Sequence, residues 1–401
     1  MKTTVFTDKL TGAAEIIRKG GLVAVPTETV YGLAANGLDA QAVEKIYEVK
    51  GRPAVKPLSL MVSDSQDMER YCLDIPPQAK TLAERFWPGP LTIVLKAKEL
   101  VPEIVRAGGE TVGLRCPDHP MTLALLEKAQ IPFAAPSANP SGEASPKTAE
   151  TVRAYFDGKI AAIVDGGPCG IGKESTLLDM AHTPYRVLRQ GALPESEIAA
   201  ALVEHLTILG ITGPSGSGKT TALREIERQG GLILDCDEIY HELLKKDASL
   251  LAALEAAFPG TVHDGVLDRK ELGRRVFTDP AALRQLNTIC HRSVSEEVER
   301  RLRDWAMAGG RLAAVDAIEL ISSGLGERCR ATVAVLAPRE TRIARIMARD
   351  GLTREEAERR VAAQHEDRYF IDNCSHAIYN DGDPAVFREK FQTLLKEILH
   401  E

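Results

Sequence analysis

The run Gly213-Pro214-Ser215-Gly216-Ser217-Gly218-Lys219-Thr220 has the spacing G-x-x-x-x-G-K-T, and it sits in the middle of the 401-residue chain. It follows the apolar stretch 206–211 and precedes a helical pattern from Thr221 to Arg228. A strand, a glycine-rich turn and a helix in that order aim backbone N–H groups and the positive end of a helix dipole at one point, which suits phosphate. In such a loop the lysine reaches the outer phosphates of ATP and the threonine hydroxyl ligates the accompanying Mg²⁺. Residues 213–221, Thr221 included, are therefore candidate ATP contacts, with Thr220 as the metal ligand. Asp235 and Asp237 close the next apolar run. In a doubly wound sheet the strand C-termini converge on the ligand. Asp237 is thus placed to take the proton of an acceptor hydroxyl. A helix cap plus a solvated acid is the other reading of this pair.

In the first half, polar and glycine-rich clusters stand at strand and helix ends. They are Pro26-Thr27-Glu28-Thr29-Val30-Tyr31-Gly32-Leu33, Lys50-Gly51-Arg52-Pro53, Ser137-Ala138-Asn139-Pro140-Ser141-Gly142, and Lys173-Glu174-Ser175-Thr176 with Arg186 and Arg189 beyond. Singly, each has a bland reading as an N-cap, a cation at a helix C-terminus, or turn chemistry.

The elements that would carry these groups alternate between short apolar runs and amphipathic helices, which reads as α/β in both halves. Strands are expected at 22–26 and near 58–62, 91–96, 112–115, 131–136, 160–165, 176–179 and 185–189. Helices are expected at 9–18, 39–49, 77–86, 119–129 and 147–156. Neighbouring runs with no room for a helix between them (91–96 and 112–115, 176–179 and 185–189) predict a mixed, partly antiparallel twisted sheet. The second half reads as strands 206–212, 232–235, 312–316, 332–336 and 377–379. Between and after them come a helical block over 237–308 and helices 339–349, 353–365 and 384–399. This pattern predicts a doubly wound parallel sheet with helical substrate and lid regions. Two domains are expected, 1–204 and 205–401.

Taken together, the first-half clusters resemble the YrdC-like L-threonylcarbamoyladenylate synthase family over roughly residues 8–195. Lys50 and Arg52 match its K-x-R element, and Ser137 and Asn139 its S-x-N element. Gly113, Arg115, Pro117, His119 and Pro120, the pair Ser175-Thr176, and Trp87-Pro88-Gly89-Pro90-Leu91-Thr92 match further signatures. The resemblance implies that L-threonine, bicarbonate and ATP give threonylcarbamoyl-AMP and pyrophosphate, a product used in N6-threonylcarbamoyl modification of tRNA adenosine. Attack on the α-phosphorus builds up negative charge that fixed cations stabilise. On this reading Lys50, Arg52 and Arg189 face phosphates with Arg115 beside them. Ser137, Asn139 and Ser175 contact ribose, phosphate or adenine, and Thr27, Tyr31 and His119 form the threonine pocket. No covalent nucleophile is evident, so catalysis rests on positioning and electrostatics.

Residues 206–400 resemble dephospho-CoA kinase. The match rests on the phosphate loop, the D-x-D at 235–237, Asp264-Gly265-Val266-Leu267-Asp268-Arg269, Arg274 and Phe277, and His291. It extends to Arg345 through Asp350, the helix that follows to Gln364, and Asn380-Asp381-Gly382. The resemblance implies transfer of the ATP γ-phosphate to the 3′-hydroxyl of dephospho-CoA. Asp237 would be the base, Arg349 or Arg345 the lid clamp, and Asp235, Asp268, Arg269 and His291 acceptor contacts. Two positions depart from the family. His291 is followed by Arg292 where proline is usual, and Ser322 stands where a glutamate is usual, with Asp316 and Glu319 nearby.

Composition narrows the remaining classes. The net charge is −7, with 22 Lys+Arg against 25 Asp+Glu before residue 206 and 28 against 32 after it, so neither half is a basic nucleic-acid binder. The seven cysteines are scattered without zinc or C-x-x-C spacing, as expected of reduced thiols. No leader or membrane-length apolar run is evident. A cytoplasmic enzyme is expected, with no membrane partner and no tightly bound cofactor beyond Mg²⁺ with ATP. Three alternatives stay open: a second half that phosphorylates another small hydroxyl acceptor, a second half that is an inactive ATP-binding regulator, and a first half that only binds RNA.

Overall fold

The computed structural model describes residues 2–53 and 55–400. They divide into two compact units, one of the described residues up to Glu204 with 307–309 and the other of the remaining described residues from His205.

The first unit is built on an eleven-stranded mixed sheet. Its order is Thr4–Phe6, Ala162–Val164, Val23–Val25, Gly32–Asn36, Phe133–Ala134, Ser59–Met61, Thr111–Arg115, Leu91–Ala97, Thr176–Asp179 and Arg186–Arg189, with Cys72–Leu73 beside Leu91–Ala97. The two strand pairs expected to be antiparallel are so, although a one-turn helix, Glu103–Arg106, does fit between Leu91–Ala97 and Thr111–Arg115. Strand Gly32–Asn36, running antiparallel to Val23–Val25, was not expected. Its residues Gly-Leu-Ala-Ala-Asn include none of the β-branched or aromatic types that favour strands. Near-complete burial along its length overrides that preference. The turn 26–31 is consequently a tight connection clamped between two paired strands. Helix Ala40–Lys50 starts where Asp39 Oδ1 accepts the N–H groups of Gln41 (3.0 Å) and Ala42 (3.3 Å). It stops at Gly51, whose φ of +59° lies in the left-handed region. That reversal sends Lys50 inward and lets Arg52 emerge on a different side. Ala13, Ile17, Val23, Val25, Leu125 and Phe133 belong to the core that holds helices against this sheet.

The second unit has five parallel strands in the order Leu232–Asp235, Leu312–Asp316, Thr207–Thr212, Ala331–Leu336 and His376–Tyr379. Because all five run the same way, Thr212, Asp235 and Asp316 end at one edge, and Asp235 sits in register beside Asp316. Helices Lys219–Arg228 and Pro384–His400 close a core that includes Ile211, Ile226, Val333, Phe387 and Phe391. Burying a ring such as Phe391 contributes roughly 1.5–3 kcal/mol.

The expected helical block 237–308 is broken into helices Cys236–Lys246, Ala248–Ala257, Arg269–Val276 and Pro280–Met307, with a hairpin pairing Val262–His263 and Val266–Leu267. The breaks have a local cause. Asp247 and Asp268 each turn a side-chain oxygen onto the N–H groups of the helix that follows, starting a new helix instead of continuing the old one. Likewise the helix expected over 353–365 ends at Ala362, and Gln364 lies in the link before helix Asp367–Asn373. All seven cysteines are free thiols. Among the described residues, no helix is long and apolar enough to cross a membrane.

Candidate active sites

In the first unit, Arg52, Arg115 and Arg189 line a cleft of about 340 Å³ together with Ser137 and Ser175. Each guanidinium is held from behind by oxygen. Arg52 Nη2 donates to the Pro57 carbonyl at 3.1 Å. Arg189 donates to the Ser175 carbonyl from Nε and Nη2 at 3.2 and 2.9 Å, and Arg115 Nη2 to Glu28 Oε1 at 2.7 Å and Thr29 Oγ1 at 2.8 Å. Burial pulls Arg52 and Arg189 below the usual arginine range, and repulsion adds to it, from Arg189 on Arg52 and from Arg115 on Arg189. Clustered, partly desolvated cations of this kind favour an anion in the space they face.

Lys50 and Asn139 stand behind this lining. The Lys50 ammonium is buried and donates to the carbonyl oxygens of Ser137 and Asn139, with Asn139 Oδ1 at 3.4 Å. Burial, then the Arg52 charge, lowers its pKa to about 8. Asn139 Nδ2 is itself committed to the carbonyls of Pro140 (3.1 Å) and Glu143 (2.7 Å). The pair shapes the loop that presents Ser137.

Tyr31 and His119 are not in this lining; both pack on the Gly166-Gly167 turn. Tyr31 Oη donates to the Gly167 carbonyl at 2.7 Å and accepts the Gly166 N–H at 3.3 Å. Its phenol pKa is raised, chiefly by burial. The imidazole of His119 also lies against Gly166. Burial lowers its pKa, and its Nδ1 is buried without a hydrogen-bond partner. A buried polar atom left open in this way suits a ligand group. Thr27 is placed differently. Its Oγ1 donates to the Val30 carbonyl at 2.7 Å and accepts the N–H of Thr29 and of Val30, so it builds the turn itself. Glu28 was missed as a site residue although it stands inside the 26–33 motif. Besides holding Arg115, its Oε2 accepts the Asp118 N–H at 3.1 Å.

In the second unit a cleft of about 460 Å³ is lined by residues 214–220 of the phosphate loop, by Asp235 and Asp237, and by Arg345 and Arg349. The structure thus gathers most of the sequence candidates here. It adds Asp316 and Arg360, which sequence reasoning had not placed at the site. Asp235 caps helix Cys236–Lys246, its Oδ1 accepting the N–H of Asp237 (2.9 Å) and of Glu238 (3.0 Å), while Asp237 projects from the first turn. Arg349 and Arg360 both bond Asp350, so two lid cations share one carboxylate.

Lys219 Nζ donates to the Gly213 carbonyl at 3.3 Å and lies 3.9 Å from Asp316 Oδ1. Burial raises the Asp316 carboxyl pKa to about 6 against the pull of Lys219, and its Oδ1 accepts no hydrogen bond. An open carboxylate oxygen beside the Thr220 loop is the donor set a hard divalent cation takes up, so these residues fit Mg²⁺. The acceptor candidates Asp268, Arg269 and His291 are absent from this lining. Asp268 caps helix Arg269–Val276, which Arg269 begins, and His291 lies on the long helix Pro280–Met307.

Comparison with known proteins divides the chain at the same place. A family model described as Telomere recombination (Sua5_yciO_yrdC) matches residues 15–191, and one described as Dephospho-CoA kinase matches 207–385. A threonylcarbamoyl-AMP synthase of Pyrococcus abyssi is 49% identical over 196 residues, covering 49% of this chain and 58% of that protein. A Bacillus subtilis protein of the same name is 49% identical over 191 residues, covering 47% and 55%. A dephospho-CoA kinase of Geobacter sulfurreducens is 35% identical over 191 residues, covering 47% of this chain and 97% of that protein. The chain thus spans a little over half the length of the first two relatives and nearly all of the third.

Proposed function

Because the chain belongs to the Sua5/YrdC family in its first unit and to the dephospho-CoA kinase family in its second, we propose that it is a bifunctional ATP-using enzyme. The observation that carries the reading is that each unit surrounds a cleft of its own with cations and small polar groups suited to phosphate.

In the first unit, L-threonine and bicarbonate condense to the carbamate with loss of water. A carbamate oxygen then attacks the ATP α-phosphorus, and pyrophosphate leaves with the bonding electrons. Arg52, Arg115 and Arg189 stabilise the charge that develops on phosphate oxygens. Ser137 and Ser175 orient the nucleotide, and Lys50 with Asn139 fixes the loop that presents Ser137. Tyr31 and His119 hold threonine, His119 through its open nitrogen, and Thr27 shapes the turn beneath them. The product is suited to tRNA adenosine modification.

In the second unit, the 3′-hydroxyl of dephospho-CoA attacks the ATP γ-phosphorus. Its proton passes to Asp237 and ADP departs. Lys219 and the loop amides bind the β- and γ-phosphates, while Arg349 and Arg360 face the transferring group. Thr220 and Asp316 would hold Mg²⁺, which when bound neutralises phosphate charge. Asp268, Arg269 and His291 serve the acceptor only through a rearrangement that brings them to the cleft. The working domains are 1–204 and 205–401, in a cytoplasmic protein.

The test is two assays on the full chain: threonine- and bicarbonate-dependent pyrophosphate release, and 3′-phosphorylation of dephospho-CoA against a panel of nucleoside and sugar acceptors. Phosphorylation of another acceptor alone, or tRNA binding without pyrophosphate release, defeats the corresponding half. ATP binding in the second unit without phosphate transfer leaves only a regulator there.

A further inference from the structure

The phosphate loop has a lining face and an outer face. Residues 214–220 line the cleft, and in loops of this kind the backbone N–H groups cradle the phosphates. The loop carbonyls meet side chains from distant parts of the unit, of which Arg345 also lines the cleft while Arg342 and Asn380 do not. Arg345 Nη1 donates to the carbonyls of Gly216 (3.2 Å) and Ser217 (3.1 Å), and Asn380 Nδ2 donates to that of Ser217 at 2.9 Å. Arg342, 5% exposed, donates from Nε to the Ser215 carbonyl at 3.2 Å.

Gln364 completes this shell. Its Oε1 accepts the Ser215 N–H at 3.1 Å and Arg342 Nη2 at 2.8 Å, and its Nε2 donates to Ser215 Oγ at 3.0 Å. The backbone N–H, carbonyl and hydroxyl of Ser215 are therefore all engaged by two side chains, neither of which lines the cleft. Gln364 also stands just beyond helix Arg354–Ala362, the element that brings Arg360 to the cleft.

We infer that Gln364 is a positioning residue for the second nucleotide site. It pins the loop at Ser215 and ties it to the base of the helix that carries Arg360. The inference rests on the reading of residues 213–220 as that site. The argument is one of preorganisation. A loop that binds anions through backbone amides gains affinity from having their directions fixed beforehand. An amide side chain with one acceptor and one donor end can satisfy Ser215 at two points at once.

The experiment compares Mg·ADP affinity by calorimetry in the full chain with wild-type residues, with Gln364→Met and with Gln364→Glu. Methionine keeps the volume and loses all three bonds. Glutamate keeps the acceptor bonds and can accept from the Ser215 hydroxyl. The expected result is about tenfold weaker binding for Gln364→Met and a loss within about threefold for Gln364→Glu. In Gln364→Met the KM for ATP rises in step while the KM for the hydroxyl acceptor holds within about twofold, a split that general loss of stability would not produce. A Gln364→Met protein that binds ADP like wild type overturns the inference. A wild-type chain that binds no ADP at this site overturns the underlying reading instead. Should Gln364→Met not fold, Gln364→Leu decides, since it too removes the Gln364 bonds and leaves Ser215, which lines the cleft, in place. About tenfold weaker ADP binding then supports the inference, and unchanged binding overturns it.

Discussion

The two units meet phosphate charge by inverse constructions. In the first, side-chain cations face the cleft and backbone carbonyls steady them: Ser175 holds Arg189 and Pro57 holds Arg52. In the second, the backbone loop faces the cleft and side chains steady its carbonyls: Arg342, Arg345 and Asn380 reach Ser215, Gly216 and Ser217. The contrast teaches where each site is vulnerable. Several arginines share the load in one cleft, so removing one leaves neighbours in place. The phosphate loop depends on a single lysine and on the fixed course of its main chain.

The sharpest way to break this comparison is Lys219→Ala. It is expected to lower dephospho-CoA phosphorylation about 10³-fold while leaving threonine-dependent pyrophosphate release unchanged. Equal loss of both rates in parallel assays would mean one shared site. Asp316→Asn comes next, with an expected fall of about 10²-fold in the kinase rate and a gain in stability. Its carboxyl pKa is raised from 3.8 to about 6, so between those values the folded state holds a proton that the unfolded state has lost. Its contribution to stability is present below pH 4 and lost as pH rises through 6. At pH 8, removing this buried charge should raise unfolding stability by on the order of 1 kcal/mol, read from urea denaturation. A less stable variant would contradict that account.

Gly166→Ala probes the first unit away from its arginines. A Cβ there would sit 2.6 Å from the His119 ring and 2.8 Å from the Pro26 ring, so the imidazole must move. The KM for threonine is expected to rise about tenfold with the KM for ATP nearly constant. A matching rise in both would remove His119 from the threonine pocket.

The mildest effect is a pH limb. Lys50 loses its proton as pH rises through about 8, and with it the ammonium that holds Ser137 and Asn139. Pyrophosphate release should drop about threefold or more between pH 7 and 9, while Lys50→Arg, which keeps its charge, moves the limb upward. Stability runs the opposite way. Between about 8 and 10.5 the unfolded chain holds the proton that the folded one has released, so this group favours folding as pH rises. A flat activity profile to pH 9 would remove Lys50 from the site's support.

What the amino-acid order made legible was whatever is contiguous. Residues 214–220 of the loop, Asp235 and Asp237 at the end of strand Leu232–Asp235, and Arg52, Ser137, Ser175 and Arg189 at the ends of first-unit elements line a cleft. What stayed hidden depends on which side of a loop a group lands. Lys50 and Arg52 are two residues apart, yet the left-handed turn at Gly51 puts one behind the cleft and the other in its wall. Gln364 and Asn380 lie about 150 residues from the loop they hold, a distance no local pattern spans. Strand Gly32–Asn36 was hidden because burial overrode its composition.

The most direct measurement is the stoichiometry with which the full chain binds a non-hydrolysable ATP analogue in a calorimeter. Two sites are predicted, falling to one in Lys219→Ala, one when Arg52, Arg115 and Arg189 are replaced together by alanine, and none when both changes are combined. A single site in the unaltered chain, or one that either substitution alone abolishes, would contradict the account.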